Sequence, residues 1–257
     1  GIITRLDLRL RPASLTQETA LLACTDFAQV TRLLNRFDAM LGGTLSAFEV
    51  MWNNFYRLVA APDNPLPNNY PYYILVEALG GDFANDNNRF VNAIAAADAD
   101  NELAEVVIAK SGAERTALWS LRDRVERTLE LGPAQVFDVS LPLSKMEAYV
   151  AEVLANLDTS LPGHHSFIFG HAGDGNLHIV CATADESVVA REMVETAVYE
   201  PLQKVGGSVS GEHGIGLEKK PWLAVSRSAE EIALMQQIKR TLDPQGILNP
   251  GRIFDIG

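Results

Sequence analysis

Apolar positions along the chain follow two rhythms, and the two alternate. Residues 21–24, 45–52, 72–79, 105–109, 136–141, 166–169 and 177–182 are short runs rich in Leu, Val, Ile, Phe and Tyr. Runs of this length bounded by turn residues predict strands. Between them the spacing becomes helical. Asp26 stands where an N-cap belongs, ahead of Phe27, Val30, Leu33, Leu34 and Phe37 on one face. Asn53 or Asn54 is placed to cap a short helix reaching Val59, and residues 86–97 predict another. A long helix is expected over 114–131, ended by Gly132, and Ser144 is placed to cap the one that follows Pro142. Helices over 186–205 and 228–242 complete the set, the last opening on a capping box from Ser228 to Glu231. Residues 62–71, with their prolines and asparagines, predict a loop.

Residues 2–10 alternate apolar and polar, which predicts a strand at the start of the numbering. A chain that opens inside a strand, at Gly1 rather than Met, reads as trimmed from a longer protein. The connection between the strands at 166–169 and 177–182 is too short for a parallel crossover, so that pair is expected to be antiparallel. The fold class is α+β: a large, mostly antiparallel sheet flanked by helices, with a short helical C-terminal segment. Two ferredoxin-like β-α-β halves divided near Asn101 fit the order of elements. No exact internal repeat is present.

Composition narrows the function. The net charge of −12 excludes a nucleic-acid groove, which needs clustered Lys and Arg, yet allows a small anion held by one local cation or metal. Cys24 and Cys181 lack C-x-x-C spacing and predict buried thiols rather than a disulfide framework. No apolar run approaches the roughly 20 residues of a membrane helix, and no signal peptide is visible. A cytoplasmic setting is expected, with peripheral membrane contact left open.

Chemistry concentrates in two glycine-rich stretches. Gly170-His171-Ala172-Gly173-Asp174-Gly175-Asn176-Leu177-His178 places two imidazoles on either side of a tight turn at the mouth of a hairpin. Gly211-Glu212-His213-Gly214-Ile215-Gly216 adds a carboxylate and a third imidazole. His171, His178 and Glu212 make a ligand set for zinc or manganese with positions left open for substrate, and His213 is then free to act as a base. Equally, Asp174-Gly175-Asn176 is good turn chemistry, and the same histidines could be surface residues. The glycine spacing is neither a dinucleotide fingerprint nor a phosphate loop. Arg122 reads either as a surface ion pair with Glu126, one helical turn on, or as a clamp for a substrate carboxylate. The tail 242–252 holds two prolines and two glycines, which stop the last helix and fix a turn.

The stretches 170–178, 210–216 and 243–251, together with Trp119-Ser120-Leu121-Arg122 and 137–142, resemble the C-terminal domain of FAD-linked oxidases. That group includes D-lactate dehydrogenase, D-2-hydroxyglutarate dehydrogenase and the glycolate oxidase FAD subunit. The resemblance implies an FAD-dependent 2-hydroxy acid dehydrogenase or oxidase, with residues 1–14 the end of an FAD-binding domain and linker. Residues 15–220 would be the α+β substrate domain and 221–257 a C-terminal helix and flavin-approaching tail. It implies His171, His178 and Glu212 as ligands of a divalent metal, His213 as the base, Arg122 as the carboxylate clamp and Asn249 in the segment that approaches the flavin. FAD itself would be bound mainly by an N-terminal domain, so the chain alone is expected to be inactive. The implied partners are a small 2-hydroxy acid, that FAD domain and an unspecified electron acceptor; a homodimer stays open.

Val136, Glu126 and Val180 depart from the lysine, threonine and asparagine of relatives that use dicarboxylic substrates. A monocarboxylic or bulkier hydroxy acid is therefore favoured over 2-hydroxyglutarate. A different class also remains: a metal- and ligand-binding module without catalysis, or a subunit of a separate flavoprotein chain. Surface histidines on a purely structural α+β domain are the third reading.

Overall fold

The protein is described by a computed structural model covering residues 2–255. Among these described residues, seven antiparallel strands form one open sheet. They are β1 (Thr16–Cys24), β2 (Leu45–Trp52), β3 (Tyr72–Gly80), β4 (Glu105–Ile108), β5 (Ala134–Ser140), β6 (His165–His171) and β7 (Asn176–Ala182). The helices are α1 (Phe27–Met40), α2 (Asn53–Ala60), α3 (Asp86–Ala99), α4 (Gly112–Asp123), α5 (Leu143–Ser160), α6 (Val188–Val205), α7 (Leu223–Ser226) and α8 (Ala229–Leu242).

The strand order β4-β1-β3-β2-β6-β7-β5 resolves into two halves. The first, β4-β1-β3-β2, has the order of a ferredoxin-like unit. The second repeats it as β6-β7-β5, and a lone antiparallel bridge between Ser140 and Ser208 takes the place of a fourth strand. The halves join where β2 pairs with β6, with Glu49 opposite His171, Val50 opposite Gly170 and Met51 opposite Phe169. The first unit closes with β4, so the division falls after Ile108 rather than near Asn101.

Side chains alternate faces along each strand, and each face has its own core. On one, Phe48, Val50, Phe137, Val139, Ile168, Leu177 and Ile179 pack with residues of α1, α3, α5 and α6. On the other, Met51, Phe167, Phe169 and Val180 pack with Phe55 and Tyr56 of α2 and Leu118 and Leu121 of α4. Glu49, Asp138, His171 and His178 belong by parity to this second face. Both cysteines are buried and unpaired. No helix among the described residues is long and apolar enough to cross a membrane.

Several local expectations are corrected. Residues 2–14 pair with no strand among the described residues, and Ile2, Ile3, Leu6, Leu8 and Leu10 are exposed; alternation makes a strand only where a ladder partner is available. The long helix expected over 114–131 is α4 followed by a 3-10 segment, Arg124–Leu131. Asp26 caps α1 through the Gln29 amide as expected, but neither Asn53 nor Asn54 caps α2. Asn53 Nδ2 instead donates to the carbonyls of Asn68 and Tyr70, pinning the 62–71 loop, and Asn54 donates to the Ser166 carbonyl. Pro142, not Ser144, occupies the N-cap of α5, its φ of −57° already set for the helix that begins at the next residue. The capping box at Ser228 and Glu231 is present.

Candidate metal centre

Two neighbouring strands and one loop bring the predicted ligands together. His171 ends β6, His178 lies inside β7, and the turn between them folds the imidazoles back to one side, their ring centres 5.3 Å apart. Glu212 arrives on the loop that follows the Ser208 bridge. One ligand atom from each of His171, His178 and Glu212 can be chosen so that all lie within 4.8 Å of one another. Ligand atoms bound near 2.1 Å to one tetrahedral ion lie about 3.4 Å apart. His171 Nε2 and Glu212 Oε1 already stand 3.5 Å apart, so the set closes by a side-chain shift on the ångström scale at its widest pair.

Glu49, which the sequence reading missed, organises the near side. Its Oε1 accepts from His171 Nδ1 at 2.5 Å and its Oε2 from Arg122 Nε at 2.8 Å. Burial raises the Glu49 carboxyl, but the bonds from His171 and Arg122 outweigh it and hold the group ionised, below its ordinary value. An ionised carboxylate only accepts, so His171 Nδ1 carries the proton and Nε2 is left as the ligand atom. The bond to Glu49 shifts His171 upward. His178, 7% exposed, is pushed down to about 4 by burial and by the charges of Arg122 and His171. It is therefore neutral near pH 7, as a metal ligand must be. Arg122 also lies over the Phe169 ring at 4.6 Å. Its expected pairing with Glu126 gives way to Glu49, because α4 ends at Asp123 and the tighter 3-10 turn breaks the one-turn spacing.

Asp138 organises the far side. It is 0% exposed and accepts from three successive backbone amides, Gly211 and Glu212 at 2.9 Å and His213 at 2.6 Å. Ser210 Oγ and the buried Lys219 Nζ add bonds at 3.0 and 3.2 Å. Burial raises the Asp138 carboxyl, but the His213 and Glu212 amides and the Lys219 ammonium outweigh it and hold it well below the carboxylate range. This nest of amides fixes the loop that presents Glu212 and His213. His213 Nδ1 stands 3.6 Å from Asp138 Oδ2, with the ring 54% exposed.

Comparisons with known proteins place the chain in a family. The model for FAD linked oxidases, C-terminal domain, matches residues 15–253. The chain belongs to the family of FAD-linked oxidase C-terminal domains. It is 37% identical to a D-2-hydroxyglutarate dehydrogenase of Xanthomonas citri over 99% of the chain and 55% of the relative. With the mitochondrial D-2-hydroxyglutarate dehydrogenase of Arabidopsis thaliana the identity is 32%, over 99% of the chain and 46% of the relative. A putative D-lactate dehydrogenase of Schizosaccharomyces pombe is 30% identical over 97% of the chain. The chain thus spans about half the length of the curated relatives it matches. Among solved structures, p-cresol methylhydroxylase superposes with a TM-score of 0.66 at 13% identity, covering 95% of this chain and 54% of that one. The 4-ethylphenol oxidase of Gulosibacter chungangensis gives 0.66 at 14%, covering 96% and 56%. At that identity they share the fold.

In this FAD-linked oxidase domain, His171, His178, Glu212, His213 and Arg122 gather near the β2–β6 seam. Asn249 does not. It lies in the tail at a φ of 52° and lines a neighbouring cavity of about 470 Å³ with Gly214, Ile215, Ile253 and Phe254. That cavity begins at the residue after His213. The missed residues, Glu49 and Asp138, carried a signal in the oxidase domain's sequence. Each is a lone acid between apolar neighbours in a strand, and a buried charge must find partners. Replacing Glu49 with Gln should weaken divalent-ion binding by about 10–100-fold, the usual cost of losing a partner behind a metal-bound histidine. Isothermal titration of the two proteins would measure it, and equal affinities would contradict the role given to Glu49.

Proposed function

We propose that this chain is the substrate- and metal-binding part of an FAD-dependent dehydrogenase that oxidises a D-2-hydroxy acid to a 2-oxo acid. The observation that carries the reading is the meeting of the His171–His178–Glu212 set with Arg122 through their shared neighbour Glu49. Two imidazoles and one carboxylate suit zinc or manganese and leave coordination positions open. A bound ion would supply Lewis acidity toward a hydroxyl oxygen, and FAD, held mainly by a domain beyond these residues, would accept the hydride.

The rest falls to the protein's own side chains. Arg122 commits Nε to Glu49 and keeps its terminal nitrogens as a fork for the substrate carboxylate. His213 turns Nδ1 toward the Asp138 carboxylate, so Nε2 is the atom left to accept the hydroxyl proton. Holding the substrate at both its carboxylate and its hydroxyl supplies orientation. The cavity lined by Asn249 and Gly214 is the space that would receive the flavin edge.

The substrate tail is the finer part of the proposal. Val136 and Val180 are opposed in the β5–β7 register, and the 3-10 segment bearing Glu126 packs on both strands. Val136 is 51% exposed and offers no donor, and Glu126 would repel a second carboxylate. A monocarboxylic or bulkier tail fits better than that of 2-hydroxyglutarate. The test is a panel of D-2-hydroxy acids applied to the intact flavoprotein while flavin bleaching is followed. Fastest bleaching by a monocarboxylic acid is expected. Fastest bleaching by 2-hydroxyglutarate would overturn the tail assignment, and no bleaching by any acid would overturn the dehydrogenase reading. In the same assay Arg122→Lys should lower kcat/KM by about 10–100-fold, since a point charge cannot replace the fork. An unchanged value would remove Arg122 from the site.

A further inference from the structure

Asn176 follows the turn between His171 and His178 and packs on the loop that bears Glu212, and it is itself unexplained. Its side chain is buried, and neither Oδ1 nor Nδ2 has a hydrogen-bond partner among the described residues. Buried amides are almost always paired, and an orphan of this kind calls for a reason. Its neighbours supply one. A Cβ built on Gly211 would stand 2.6 Å from Asn176 Oδ1 and 2.8 Å from Asp138 Oδ1, so amide and carboxylate press together on the bare Cα of that glycine. A Cβ on Gly170 would stand 2.4 Å from the Asn176 carbonyl oxygen. Asn176 is therefore gripped by the strand that ends in His171 and by the loop that carries Glu212. His178 is two residues further along its own strand, on the same side of the pleat.

We propose that Asn176 is a positioning residue that sets the gap between the hairpin bearing His171 and His178 and the loop bearing Glu212 and His213. It does so by packing its amide on the bare Cα of Gly211, beside the Asp138 carboxylate. This rests on the metal reading given above. His171 Nε2 of the hairpin and Glu212 Oε1 of the loop already stand 3.5 Å apart, a separation one ion can bridge, and the packing of Asn176 on Gly211 is the contact that holds hairpin and loop at that gap. An apolar residue of similar size would fill the same space without the unmet polar atoms. The amide is thus a stability cost retained at a functional site.

The experiment compares wild type, Asn176→Leu and Asn176→Ala in the intact protein, by thermal melting without metal and by titration with Mn²⁺ and Zn²⁺. N176L should melt no lower than wild type, yet bind the ion at least about tenfold more weakly, the scale on which outer partners act. N176A should show the same loss of affinity and gives the answer if the leucine variant fails to fold. Affinities within twofold of wild type in a folded variant would overturn the role of Asn176 and leave the metal centre standing. A wild-type protein that takes up no ion would overturn the metal centre and the role of Asn176 with it.

Discussion

Asp138→Ala is expected to lower stability by about 3–5 kcal/mol, the cost of leaving one member of a buried ion pair without its partner. Lys219 would stay buried with an uncompensated charge, and the amides of Gly211, Glu212 and His213 would lose their common acceptor. For a domain of this size that is roughly a 6–20 °C fall in melting temperature. The loss should depend on pH with a definite sign. The folded carboxyl lies below its unfolded value of about 3.9, so its contribution is complete above that value and disappears as pH falls through the folded one. Wild type and D138A should therefore differ most near neutral pH and converge in strong acid. Melting curves across pH 2–8 measure this, and a constant difference at every pH would show that the carboxylate's charge is not responsible.

His178→Ala should remove divalent-ion binding, by more than the roughly 100-fold that an outer partner is worth, while costing little stability. His178 stands inside β7, where burial and the nearby Arg122 and His171 lower its basicity and keep it neutral. It accepts the ion without first releasing a proton, whereas His171, shifted upward by its bond to Glu49, must release one, so affinity for Mn²⁺ or Zn²⁺ should fall as pH drops below neutral on account of His171 rather than His178. Titration of H178A beside a melting curve separates the two effects. A variant that melts like wild type and binds as tightly would exclude His178 from the ligand set.

How much of this was legible in the sequence depended on whether the signal was local. The strands and the hairpin at 170–178 were legible because apolar runs and a Gly-Asp-Gly turn act within a few residues. His171, His178 and Glu212 were legible as ligand types, but their meeting needed the register of β6 on β7 and the anchoring of the loop on Asp138. The roles of Glu49 and Asp138 were hidden because their partners lie more than 70 residues away in sequence. Arg122 was misdirected toward Glu126 by an assumption of continuous helix, which the 3-10 turn at Arg124 breaks. The exposed alternation of residues 2–10 imitated a strand because periodicity reports amphipathic spacing, and only a neighbouring edge turns spacing into a ladder.

The central claim is that two imidazoles and a carboxylate from separate segments hold one ion at the sheet seam. Crystals of the intact protein grown with Zn²⁺ or Mn²⁺, with data collected across the metal's absorption edge, test it directly. The account predicts a single strong anomalous peak within bonding distance of His171 Nε2, the His178 ring and the Glu212 carboxylate, with His171 Nδ1 still on Glu49. A peak bound elsewhere, or none at this seam at saturating metal, would contradict it.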